Sequence, residues 1–230
     1  MLQPTDLELE AIRLSLRVAL WSVACSLPVA IAAAWLLART RFPGRILLDG
    51  LVHLPLVVPP VVVGFILLVL FGRRGPIGAW LYDTFGITII FTWKGAALAA
   101  AVMAFPLMVR AIRLSLEAVD RRLEAAARTL GARRFDTFMT ITLPLMTPGI
   151  LVGMVLAFAR SLGEFGATIT FVSNIPGETR TIPVAIYTLT QTPDGDVAAL
   201  RLSIIAVILA MIALVASEIL ARRVAARITG

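Results

Sequence analysis

Few residues in this chain carry side chains suited to covalent or metal chemistry. Among 230 residues there is one histidine, His53, one cysteine, Cys25, and one lysine, Lys94. A nucleophile needs a base within hydrogen-bond reach, and a metal needs several ligands together. His53 and Cys25 fall in separate apolar runs, so no catalytic and no metal-binding residue is assigned. Cys25 has no intrachain disulfide partner and is expected as a small buried apolar residue. His53 is expected as a polar side chain satisfied at one end of its helix. Arg160 and Glu164 lie four apart, on one helix face. They form either a structural ion pair or an electrostatic contribution at the outer gate of a path. Ser161, Thr168 and Thr170 add hydroxyls that can meet an oxyanion or bond back to their own helix.

The elements that hold these residues are built for a bilayer. Hydrophobic residues make up 59% of the chain and charged residues 15%, with a mean hydropathy of +0.93. A soluble domain is about half apolar and about a quarter charged. A crossing helix needs roughly 20 mostly apolar residues. Five stretches qualify, at about 15–38, 48–71, 93–113, 143–164 and 200–221. The chain therefore reads as an all-α polytopic membrane protein, a single domain over 1–230 with five transmembrane helices. The runs 165–177 and 181–193 are short and broken by Asn174, Pro176, Gly177 and Pro183. They read as a re-entrant or interfacial excursion, with a sixth span as the alternative.

Basic residues set the orientation. With the N-terminus outside and the C-terminus inside, thirteen arginines face the cytoplasm, Arg222 and Arg227 among them, and seven basic residues lie at the outer ends. A sixth span would break that agreement. The first residues are acidic, with no basic region ahead of a short apolar run, so no cleavable signal peptide is expected. The pI is about 11.1, yet the arginines border apolar spans and form no aromatic-interleaved basic face, so no nucleic-acid partner is expected. Prolines interrupt several spans: Pro28, Pro55, Pro59, Pro60, Pro106, Pro144 and Pro148. They serve either as packing kinks or to shape a helix that lines a path.

The loop at about 117–142 is polar and ordered by its own chemistry. Asp120 to Thr129 is rich in helix formers, with Glu124 and Arg128 spaced to pair. Gly131 permits a turn. A second short helix is expected over about Ala132 to Thr140, with Phe135, Phe138 and Met139 on an apolar side, and Pro144 then opens the fourth span. Glu124-Ala125-Ala126, Gly131 and Ile141-Thr142-Leu143-Pro144 together resemble the EAA signature of binding-protein-dependent ABC importer permeases. The resemblance implies coupling helices that dock in a groove on a separate ATPase. Glu124 would make polar contacts with that subunit, Ala125 and Ala126 would permit close seating, Gly131 would set the angle between the helices, and Phe135 would belong to the same surface.

Three further blocks extend the resemblance along most of the chain: HLPLVVPPVVVGF (His53 to Phe65), FPLMVRAIRLSLE (Phe105 to Glu117) and FARSLGEFGATITFVSNIPGETRTIPVAIYTL (Phe158 to Leu189). They look like the molybdate permeases of bacteria, within the molybdate, tungstate and sulfate branch. That implies a type I ABC importer permease fold in the bacterial inner membrane, surrounded by lipid. It also implies a homodimer, two ATP-binding subunits and a periplasmic molybdate-binding protein. Arg160, Ser161, Glu164, Thr168, Pro59 and Pro60 are the candidates for the translocation path. No P-loop sequence occurs in the chain, so no cofactor is expected here, and ATP with magnesium would belong to the partner ATPase. Tungstate and sulfate or thiosulfate are the alternative cargoes. An ion-coupled secondary transporter is the rival class, but it needs embedded titratable groups and often related halves.

Overall fold

The computed structural model describes residues 5–229, in which all regular structure is helical. The side chains of Arg222 and Arg227, counted above as cytoplasmic charges, lie outside the described residues. Helix α1 (Asp6–Arg39) is followed by α2 (Arg45–Val57), α3 (Pro60–Phe71), α4 (Pro76–Phe85) and α5 (Trp93–Ala118). The loop region holds α6 (Arg121–Thr129) and α7 (Arg134–Thr137). A π-helical turn (Phe138–Thr142) leads into α8 (Leu143–Leu162), and α9 (Gly166–Val172), α10 (Ile182–Thr190) and α11 (Asp196–Thr229) complete the chain.

Among the described residues four helical segments are long and apolar enough to cross a membrane: Asp6–Arg39, Trp93–Ala118, Arg134–Leu162 and Asp196–Ala216. The remaining expected span, 48–71, is not one rod. Its halves, α2 and α3, meet at 115°. Pro59 and Pro60 supply no N–H, and a residue before proline is pushed out of the helical region. Val58 accordingly sits at φ −74°, ψ 136°, and Pro59 at φ −52°, ψ 135°. Pro60 opens α3, where a missing donor costs nothing. Counted as one broken crossing, the pair brings the total to five.

The short helix expected at 132–140 is likewise not separate from the fourth span. The chain is helical without interruption from Arg134 to Leu162. Pro144 cannot donate to the preceding turn, and its ring would press on the carbonyl four residues back. The helix widens there instead: the Leu143 N–H bonds the Phe138 carbonyl, five residues earlier. The apolar side expected of this segment is divided. Phe138 packs against the core, whereas Phe135 and Met139 are exposed.

Helix α5 is the central rod, with 61% of its apolar window buried against 11% for α11. Lipid solvates a helix as well as leucine does, so close approach of small residues carries much of the association. Ala104, Met108, Ile112 and Leu116 of α5 pack with Ala30, Ala34 and Leu37 of α1 and with Met146, Ile150 and Ala157 of α8. A Cβ on Gly149 would lie 2.2 Å from that of Ser115, so α8 meets α5 at contact distance only because Gly149 lacks one. Cys25 is exposed, which corrects the expectation of burial. The inward stripe of α1 runs through Ser22, Val23, Ser26 and Ala30, and Cys25 faces away from it.

At the other end of the molecule a pairing unseen in the sequence closes the fold. Arg201 of α11 donates to the buried Glu8 carboxylate from Nη2 at 2.6 Å and from Nε at 3.0 Å. The Ile182 N–H bonds Ser15 Oγ at 2.7 Å. Together they hold α1, α10 and α11 around Ala11, Ile182, Ala185 and Leu202.

Helix α9 lies on α3 at backbone distance. A Cβ at Gly64 would stand 2.6 Å from the Ala167 carbonyl oxygen, whereas one at Gly50 would meet nothing within 4 Å. Gly64→Ala is therefore expected to lower stability by about 1–3 kcal/mol through overpacking. Gly50→Ala, on an exposed helix surface, should be neutral or stabilising by up to about 1 kcal/mol. Thermal unfolding of the two variants in detergent checks the contrast, and equal midpoints would contradict the close α3–α9 contact.

Candidate coupling loop and path

The loop hairpin is built by local rules. The Asp120 carboxylate accepts the Arg122 N–H at 2.8 Å and starts α6. Its end is a Schellman closure: the Ala132 N–H bonds the Ala127 carbonyl and the Gly131 N–H the Arg128 carbonyl, both at 3.1 Å. Gly131 sits at φ +92° with open space around it, so backbone conformation alone demands glycine. The Arg133 N–H then reaches the Asp136 carboxylate at 3.3 Å as the next helix begins.

Glu124 ties this hairpin to the membrane helices. Its Oε1 accepts from Arg39 Nη2 of α1 at 2.8 Å and from Thr142 Oγ1 of the π-turn at 2.9 Å. Arg128, the local partner expected from spacing, stands 4.0 Å from Oε2. The Arg39 and Glu124 side chains are only 10% and 13% exposed. Glu124 thus engages its carboxylate within the chain, joining α1 and the π-turn to the hairpin. Among the exposed arginines of the hairpin lie small and apolar side chains: Ala125 and Ala126 are exposed, with Leu130 at 89%, Phe135 at 71% and Leu123 at 48% exposure. Arg39 and Thr142, with Leu123 and Leu130, escaped sequence reasoning. Arg39 is 85 residues from Glu124, and no local pattern links them.

The path candidates fall into two groups. Glu164 is 2% exposed, accepts the Ala167 N–H at 2.9 Å and pairs with Arg160 Nη1 at 2.6 Å. It therefore anchors the start of α9 to the end of α8. Ser161 is buried against Ser22 of α1, with their oxygens 2.8 Å apart. Thr168 is buried as well. Within the single chain these three side chains are buried. Arg160, partly exposed, and Pro59, exposed at the α2–α3 bend, remain accessible. The structure brings the bend to the start of α9: a Cβ on Gly166 would lie 2.8 Å from that of Pro60. Thr170 bonds the Gly166 carbonyl of its own helix.

His53 is satisfied as expected, with Nδ1 2.8 Å from the Asp49 carbonyl oxygen. Asp49 bridges to Arg113 of α5 at 3.0 Å, and Arg113 to Glu117 at 2.9 Å, fastening α2 to the central helix.

Residues 26–229 match the family described as the binding-protein-dependent transport system inner membrane component. The chain is 68% identical over 218 residues to the molybdenum transport system permease protein ModB of Escherichia coli K12, covering 95% of both proteins. It is 59% identical to that of Haemophilus influenzae, over 94% of this chain and 95% of the relative. Among solved structures it resembles a chain of the bacterial alginate ABC transporter in complex with alginate pentasaccharide-bound periplasmic protein. The TM-score is 0.75 at 20% identity, covering 96% of this chain and 80% of that one.

Removing one partner of a buried ion pair leaves an uncompensated charge, at a cost of about 3–5 kcal/mol. Glu124→Leu and Arg39→Met are each expected to destabilise the chain by that order, and the double variant to recover part of the combined loss. A double-mutant cycle on unfolding midpoints measures it. Strict additivity of the two single changes would show that the pair does not interact.

Proposed function

The chain belongs to the family of binding-protein-dependent transport system inner membrane components, and we propose that it is the membrane-embedded permease subunit of an ABC importer for molybdate. The near-full-length identity to molybdenum permeases carries the cargo assignment. The exposed small and apolar side chains of the hairpin support the coupling role, because such a surface is suited to seat in a partner's groove.

Two copies of this chain would form the path between them, each seating its hairpin on an ATP-hydrolysing subunit on the cytoplasmic side. A periplasmic binding protein would deliver the anion to the opposite face. Molybdate carries two negative charges, and an inside-negative potential of 100 mV opposes its inward movement by about 4.6 kcal/mol. ATP hydrolysis on the partner supplies that work, and the hairpin is the lever that receives it. Because the helix runs unbroken from Arg134 to Leu162, a displacement of the loop is passed directly toward the α8–α9 junction. The Glu124–Arg39 pair makes α1 follow. At that junction the accessible Arg160 and the bend at Pro59 and Pro60 are the elements placed to meet the passing anion. The buried Ser161, Glu164 and Thr168 keep them in position.

Proteoliposomes with the cognate ATPase and binding protein test this reading. ATP-dependent accumulation of labelled molybdate is expected to exceed that of sulfate, with tungstate competing. Sulfate uptake above molybdate would overturn the cargo assignment. Gly131→Val forces a β-branched residue into a left-handed backbone, at about 1–3 kcal/mol. It is expected to abolish uptake and stimulated ATP hydrolysis while the chain still inserts. Phe135→Ser should weaken capture of the ATPase by at least about tenfold, the loss of roughly one buried aromatic contact of 1.4 kcal/mol or more. Uptake at the unmodified rate in the Gly131 variant would sink the coupling role.

A further inference from the structure

Between the end of α1 and the hairpin lies a cavity of about 280 Å³ whose walls carry Arg39, Arg121, Arg128 and Arg134 against a single carboxylate, Glu124. We propose that this cavity binds one tetrahedral oxyanion, either free in solution or as the phosphate of an anionic phospholipid. Four guanidinium groups facing one carboxylate leave three positive charges without a counter-charge in the lining. Glu124 is already engaged by Arg39 and Thr142. Arg39 Nε is buried and has no acceptor, a donor left for a ligand. Among the described residues Arg121 reaches only the Ala38 carbonyl, at 3.4 Å, and the Arg134 side chain has no carboxylate partner.

Guanidinium forks match the geometry of tetrahedral oxyanions, and several converging on one recess select them over point-like anions. The volume far exceeds what a single water needs, and water would not neutralise the charge. Trp35 stands one turn before Arg39 on α1 and also lines the cavity. A tryptophan beside arginines at the end of an apolar helix marks headgroup depth, where lipid phosphates lie. An anion bound here would bridge Arg39 of α1 to Arg128 and Arg134 of the hairpin. Those are the elements that Glu124 already joins, so occupancy would stiffen the lever. This inference stands apart from the importer reading, because binding is measured on the chain alone.

The purified full chain is placed in phosphatidylcholine nanodiscs and titrated with inorganic phosphate and with molybdate. Parallel nanodiscs containing phosphatidylglycerol are examined by native mass spectrometry for retained lipid. One saturable site per chain is expected for the free anions, for phosphatidylglycerol, or for both. Saturation by the free anions identifies a solution ligand, and retention of phosphatidylglycerol alone identifies a headgroup. The double variant Arg121→Gln, Arg134→Gln should bind at least tenfold more weakly, as should the single Arg134→Gln at an exposed position. Arg74→Gln, remote from the cavity, should bind as the unmodified chain does, and unchanged unfolding midpoints verify folding of each variant. Absence of saturation by every probe would refute the site. Unmodified binding in both arginine variants would refute it too.

Discussion

Glu124 occupies a position where three otherwise separate parts of the chain must agree. It lies on the loop hairpin, accepts a charged hydrogen bond from the last turn of α1, and accepts another from the π-turn that opens α8. A carboxylate held at 13% exposure is stable only while its partners stay in place, since an unpaired charge there would carry the full desolvation cost. The hairpin is therefore not a flexible tether. Its orientation is fixed by the membrane helices, and a force applied to it is delivered to them.

The far end of the fourth span repeats this logic with a different carboxylate. Glu164 caps α9 through the Ala167 N–H and pairs with Arg160 one turn back. Helix α9 is only seven residues long, too short to be stable alone, and it is held by Glu164 on one side and by Gly64 and Gly166 at the α3 contact on the other. The break at Pro59 and Pro60 supplies the complementary shape. A crossing bent by 115° leaves irregular backbone within the apolar zone, which a bilayer tolerates only beside protein or a water-filled space. The two carboxylates thus bracket one continuous helix, one at the hairpin end and one at the start of α9.

Much of this was legible because it is local. Hydropathy and length identified α1, α5, α8 and α11. Gly131 was readable as the hairpin turn, because a residue at φ +92° must be one that tolerates the left-handed region. The proline pair announced a break, though not its angle. The motif around Glu124-Ala125-Ala126 pointed to a turn between two short helices, and Ala125, Ala126 and Phe135 are exposed there. The continuity of the loop helix with the fourth span was not legible. Pro144 reads as a start signal, and only the widened π-turn lets the helix run through it.

The amino-acid sequence by itself determined that this is an all-helical membrane chain, which stretches are apolar enough to cross, and that the proline pair breaks one of them. Those properties depend on backbone preference and side-chain polarity within a few residues. The tertiary structure alone decided which charges face inward. Arg39 finds Glu124 across 85 residues, Ser22 finds Ser161 across 139, and Arg201 finds Glu8 across 193. The same packing buried Ser161, Glu164 and Thr168 within the chain and left Arg160 partly exposed. A side chain's type fixes what it can bond, but its partner depends on which helix faces close packing brings together.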